Sequence, residues 1–115
     1  MIEKRKHSRI GSMNLLNYIY LDEGEEETVQ GMGRTLNVSE SGMLLETHTS
    51  IRSGNVISLT VGLEEEMVDI KGRIIYSKQN QNGMYESGIE FFDIDDLAQK
   101  VLRRYISEFN SRSTR

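Results

Sequence analysis

Between Met13 and Phe92 the chain is cut at regular intervals by turn-forming residues into six short runs of β-favouring sequence. Runs of this length and spacing predict a small antiparallel barrel or sandwich. The first run, Met13 to Leu21, ends in Asp22-Glu23-Gly24, and the second covers Thr28 to Val38. Gly31 and Gly33 inside that second run are expected to mark a bulge or a close backbone approach. Met43 to Thr47 is the third. After the turn Arg52-Ser53-Gly54-Asn55, the run Val56 to Leu63 alternates Val56, Ser58 and Thr60 against Ile57, Leu59 and Val61, the period of a half-buried strand. Glu64-Glu65-Glu66 closes a hairpin into Met67 to Ser77. Asn82-Gly83, a strong hairpin signal, leads into the last run, Met84 to Phe92.

Past Phe92 the period changes. Leu97, Val101, Leu102, Tyr105, Ile106 and Phe109 fall on one face of an amphipathic helix, expected from about residue 94 to residue 110. Asp93 or Asp95 can cap its start, which is a simpler role for the acids at Asp93 to Asp96 than metal binding. Residues 1–11 are polar and basic with little to bury, so they are expected to form a flexible arm, with 12–115 as the barrel and helix.

A chain of 115 residues is one domain with a sizeable core. It contains no cysteine, which removes disulfides, thiolate metal sites and cysteine nucleophiles and fits a reducing cytoplasm. No apolar run is long enough to span a membrane, so no membrane insertion is expected. A formal net charge of -4 argues against a DNA or RNA binder, as does the lack of aromatics gathered over a basic groove. His7 and His48 stand in separate polar contexts without triad or metal spacing, so neither catalysis nor a metal or cofactor is expected.

Two stretches carry chemistry. Asn37-Val38-Ser39-Glu40-Ser41-Gly42 sets an amide, two hydroxyls and a glycine between apolar runs. Gly42 permits a positive φ or a close ligand approach. Near the amino terminus stand Arg5 and Arg9, with Lys4 and Lys6 beside them. Guanidinium forks match phosphate oxygens and the O6/N7 edge of guanine as lysine cannot.

The ordered pair Arg5-x-x-x-Arg9 and Asn37-x-Ser39-x-x-Gly42 resembles the two-part signature of the PilZ domain, whose better-characterised members bind the bacterial second messenger cyclic di-GMP. Ser87-Gly88-Ile89-Glu90-Phe91 before an amphipathic helix is similar to that family's last strand. The resemblance covers nearly the whole chain. It implies a mainly β fold, a six-stranded antiparallel PilZ-like β-barrel with a C-terminal α-helix. It also implies a receptor without catalytic activity, in which Arg5, Arg9, Asn37, Ser39 and Gly42 enclose cyclic di-GMP and the ordered arm signals to a downstream protein. Asn37 would meet a guanine N–H edge through its carbonyl. Lys4, Lys6, Ser41 and Tyr76 are further ligand-binding candidates, Tyr76 by stacking on a base. The family often has aspartate where Asn37 stands, and asparagine gives up a charge-assisted bond. Lys4 precedes the first arginine, at a position that bears on whether one ligand or a stacked pair is bound; lysine has no planar head to stack on guanine. The alternative is a PilZ-like adaptor that works through protein contacts and binds no nucleotide.

Overall fold

The computed structural model describes residues 15–24, 26–63 and 66–113. The arm expected over 1–11, with Lys4, Arg5, Lys6 and Arg9, lies outside the described residues.

Six strands form where the β-favouring runs fall: β1 (Leu15–Asp22), β2 (Glu27–Val38), β3 (Gly42–Thr47), β4 (Val56–Leu63), β5 (Glu66–Gln79) and β6 (Tyr85–Phe91). They close into a barrel in the order β1-β2-β3-β6-β5-β4, every neighbour antiparallel. Closure leaves no strand edge that charged tips would have to protect. The turns sit where the glycines stand, Gly54 with φ 92° and Gly83 with φ 81°.

Alternation sets the inside and outside of the barrel. Ile57, Leu59 and Val61 of β4 are completely buried, while Leu16, Tyr18 and Tyr20 of β1 point inward between exposed Leu15, Ile19 and Leu21. The core continues through Leu45, Ile74 and Ile89.

The helix α1 (Asp96–Ser113) packs against β4 and β5. Asp95 caps it, accepting a hydrogen bond from the Ala98 N–H at 2.8 Å. Val101, Leu102 and Tyr105 are buried as expected, but Leu97 is 61% exposed and Ala98 takes its place. Leu97 falls just off the stripe made by Ala98, Val101, Leu102 and Tyr105, so the core cannot reach it. The helix also runs past Asn110 to Ser113.

Two register breaks interrupt the ladders. One lies between Thr35 and Asn37 on β2, the other between Ile74 and Tyr76 on β5. The β2 bulge therefore falls at Leu36 and not at Gly31 or Gly33. Those glycines give room to neighbours: added Cβ atoms would lie 2.8 Å from the Tyr18 hydroxyl and 2.9 Å from Leu45 Cδ1.

Below the β2 bulge, the buried Thr35 hydroxyl pairs with the Tyr105 hydroxyl at 2.8 Å and donates to Met43 Sδ at 3.7 Å. This polar tie joins barrel to helix. Tyr105→Phe is expected to destabilise the fold by about 1 to 3 kcal/mol, because the Thr35 hydroxyl keeps only a weak sulfur partner. Burial pushes the Tyr105 phenol above its ordinary value, the Thr35 bond opposing this in part. A raised folded-state value means that the tyrosine's contribution is whole below about pH 10 and is lost as pH climbs through the folded value. Urea midpoints measured from pH 7 to 11 should therefore fall less steeply at the alkaline end in Tyr105→Phe than in the wild type.

Candidate functional site

The β2 bulge sets the site up. With Leu36 as the extra residue, burial changes phase along the strand: Thr35 and Val38 point inward, and Asn37 is left on the outer surface. The Asn37 side-chain oxygen accepts the Val38 N–H at 2.9 Å. One lone pair of the carbonyl is thus committed to the backbone, and the NH2 group remains as a donor.

The β2–β3 turn is closed by the Ser39 N–H donating to the Gly42 carbonyl at 2.8 Å. The Ser41 N–H donates to Ser39 Oγ at 3.2 Å, and the two hydroxyls lie 3.1 Å apart. One hydroxyl proton suffices for the bond between them, so the other can donate to a ligand. The turn is also fastened to β6, where the Phe91 N–H donates to the Ser41 carbonyl at 2.9 Å.

Gly42 does not use the positive φ that its residue type permits. It is glycine because a Cβ here would lie 2.3 Å from the Ile89 carbonyl oxygen. The constraint is the contact of β3 with β6.

On the far side, the β5 bulge puts two successive side chains outward, Ile75 at 51% and Tyr76 at 44% exposure. The Tyr76 ring lies over Gly88, where an added Cβ would come within 2.4 Å of ring Cε2. The register aligns Asn37 with Leu44, Leu44 with Gly88 and Gly88 with Tyr76, one row across four strands. At the usual strand spacing that row is about 14 Å wide. Asn37, Ser39, Ser41, Gly42 and Tyr76 consequently line one open cavity of about 550 Å³, with Leu44 and Gly88 among its other lining residues. This volume is in the range of small-molecule sites.

The cavity is short of positive charge. Among the described residues no lysine or arginine lines it, and its one charged lining residue is Glu90. Nearby arginines are engaged elsewhere. Arg34 binds Glu46 at 2.9 Å, and Arg73 donates to the Gly54 carbonyl at 2.9 Å. At the tip of the turn, Glu40 faces the helix and meets Gln99 and Arg103, each at 3.4 Å.

Of the candidate residues named from the sequence, the described ones, Asn37, Ser39, Ser41, Gly42 and Tyr76, all lie around this cavity. Leu44, Gly88 and Glu90 join them without a site role evident from the sequence. Gly88, in the residue pattern Ser87-Gly88-Ile89, was the available signal for a bare patch under a ring, but its partner Tyr76 is set by the β5 bulge.

The sequence model of the PilZ domain family matches residues 3–108. No curated protein matched the chain. Among solved structures, the chain is similar to the PilZ domain with cyclic di-GMP of YcgR from Escherichia coli, at 12% identity and a TM-score of 0.62, covering 85% of this chain and 84% of that one. It is similar to the inhibitor of motility MotI/DgrA of Bacillus subtilis at 18% identity and a TM-score of 0.63, covering 88% of this chain and 49% of that one. The PilZ domain of CeSA from a cellulose-synthesizing bacterium aligns at 13% identity and a TM-score of 0.54, covering 84% of this chain and 93% of that one. At these identities the likeness is one of fold.

Proposed function

The chain belongs to the PilZ domain family, and from that premise we propose that it is a non-catalytic cytoplasmic receptor for cyclic di-GMP, whose N-terminal segment folds over the barrel corner on binding and so signals to a partner protein. The observation that carries this reading is the single cavity shared by Asn37, Ser39, Ser41, Gly42 and Tyr76. A ligand with two phosphates and two guanines suits its chemistry. The Asn37 NH2 group and the spare serine hydroxyl are donors for phosphate or ribose oxygens, and Tyr76 offers an exposed ring to a base.

The positive charge missing from the described lining residues is supplied, in this reading, by Arg5 and Arg9, each forking onto phosphate or a guanine O6/N7 edge. Lys4 and Lys6 add unspecific attraction. Ordering of the arm across the corner presents a new surface to the downstream protein. Glu40, held by Gln99 and Arg103, connects the same turn to the helix. Among the described residues no helix is long and apolar enough to cross a membrane.

Calorimetric titration with cyclic di-GMP tests the proposal. The wild type should give a saturable heat, and Tyr76→Ala should weaken binding about 5- to 150-fold, the usual contribution of one base–aromatic stack. Saturating ligand should also slow amide exchange in residues 3–9. A wild type that gives no heat would leave the adaptor reading in its place.

A further inference from the structure

We propose that Glu90 is the residue that selects guanine in this cavity, by accepting the N1–H and 2-amino donors of one base; the inference rests on the receptor reading above. Glu90 is exposed on the outer face of β6, directly across from Gly42 and two residues along from Gly88. Two residues of strand cover about 7 Å. A purine stacked on Tyr76, above Gly88, therefore carries an edge to within reach of the glutamate.

Three observations assign this role to Glu90. It is the one carboxylate lining the cavity among the described residues. Among the described residues none is hydrogen-bonded or ion-paired to its carboxylate: its cross-strand neighbour Arg73 is turned to the Gly54 carbonyl, with its guanidinium 5.8 Å from the centre of the Phe92 ring. Finally, the Asn37 carbonyl is already committed to the Val38 N–H, so it is a poor acceptor for two further donors.

A carboxylate near an anionic ligand repels its phosphates unless it faces a part of the ligand that only donates. The Watson–Crick edge of guanine is such a part, presenting N1–H and the 2-amino group side by side. Adenine places an acceptor at N1, and hypoxanthine lacks the 2-amino group. Two carboxylate oxygens match guanine alone among these three.

Glu90→Gln keeps the shape but leaves one acceptor and one donor. Titrations of wild type, Glu90→Gln and Glu90→Asp with cyclic di-GMP and cyclic di-IMP distinguish the outcomes, with circular dichroism confirming the fold. The wild type should prefer the guanine ligand by about tenfold or more. Glu90→Gln should lose about 10- to 100-fold for cyclic di-GMP, with a smaller loss for cyclic di-IMP, so that the preference narrows. Glu90→Asp should keep more of the preference than Glu90→Gln. Unchanged cyclic di-GMP binding in Glu90→Gln, or equal losses for both ligands, overturns the role of Glu90 while leaving the receptor intact. A wild type that binds neither ligand overturns both.

Discussion

Arg5→Ala and Arg9→Ala should each weaken cyclic di-GMP binding about 10- to 150-fold, since a hydrogen bond to a charged group contributes about 1.5 to 3 kcal/mol. The reason lies in the cavity. None of its described lining residues is a cation, and Glu90 adds a negative charge, so a doubly anionic ligand needs positive charge from outside the barrel wall. The arginine pair is the group of the right chemistry that the sequence offers. Arg5→Lys and Arg9→Lys should recover only part of the loss, because an ammonium restores charge without the planar fork that grips phosphate or guanine at two points. Calorimetry on the four variants at one salt concentration reads the series. Wild-type affinity in both alanine variants would remove the arm from the site.

Gly42→Ala should destabilise the fold by about 2 to 4 kcal/mol, combining an overpacked contact with a weakened backbone hydrogen bond. The added methyl would lie 2.3 Å from the Ile89 carbonyl oxygen, a backbone atom that cannot rotate away. The β2–β3 turn would have to lift from β6, straining the bond from the Phe91 N–H to the Ser41 carbonyl. For a domain of this size the melting temperature should fall by about 10 to 25 °C, and ligand binding should fall with the distorted turn. Gly88→Ala provides the contrast. Its methyl would meet Cε2 of Tyr76 at 2.4 Å, and a surface ring can swing aside. Stability should change less, whereas affinity should drop as it does in Tyr76→Ala. Thermal melts and titrations of the two alanine variants together separate a glycine that holds strands together from one that leaves room for a ring. A Gly42→Ala protein that melts with the wild type would show that the turn yields easily.

Much of the architecture was legible in the chain. The alternation in Val56 to Leu63 sorts side chains inside and out as the barrel does, because a two-residue period needs no partner to be read. The same holds for the turns at Gly54 and Gly83 and for the helix, whose buried Val101, Leu102 and Tyr105 recur at helical spacing. The amide, hydroxyls and glycine of the corner were also evident from residue type and order.

The bulges were not. Leu36 and Ile75 are ordinary strand residues, and they become extra only when counted against β3 and β6. A bulge is a mismatch in length between two strands, so a strand read alone does not contain it. The exposure of Leu97 was missed for a related reason: Leu97 looked like part of the apolar face, but which side of that face meets the barrel is fixed by docking.

By itself, then, the sequence determined the run of strands and turns, the terminal helix and the polar chemistry of the β2–β3 turn, all of which rest on local periodicity and residue type. Tertiary structure alone decided that Tyr76 stands across Gly88 from Asn37, that Glu90 shares their face, and that Gly42 is bare for the sake of the Ile89 carbonyl. Those relations arise where the β2–β3 hairpin meets the β5–β6 hairpin, two segments far apart along the chain whose mutual register is set by the pairing of β3 with β6.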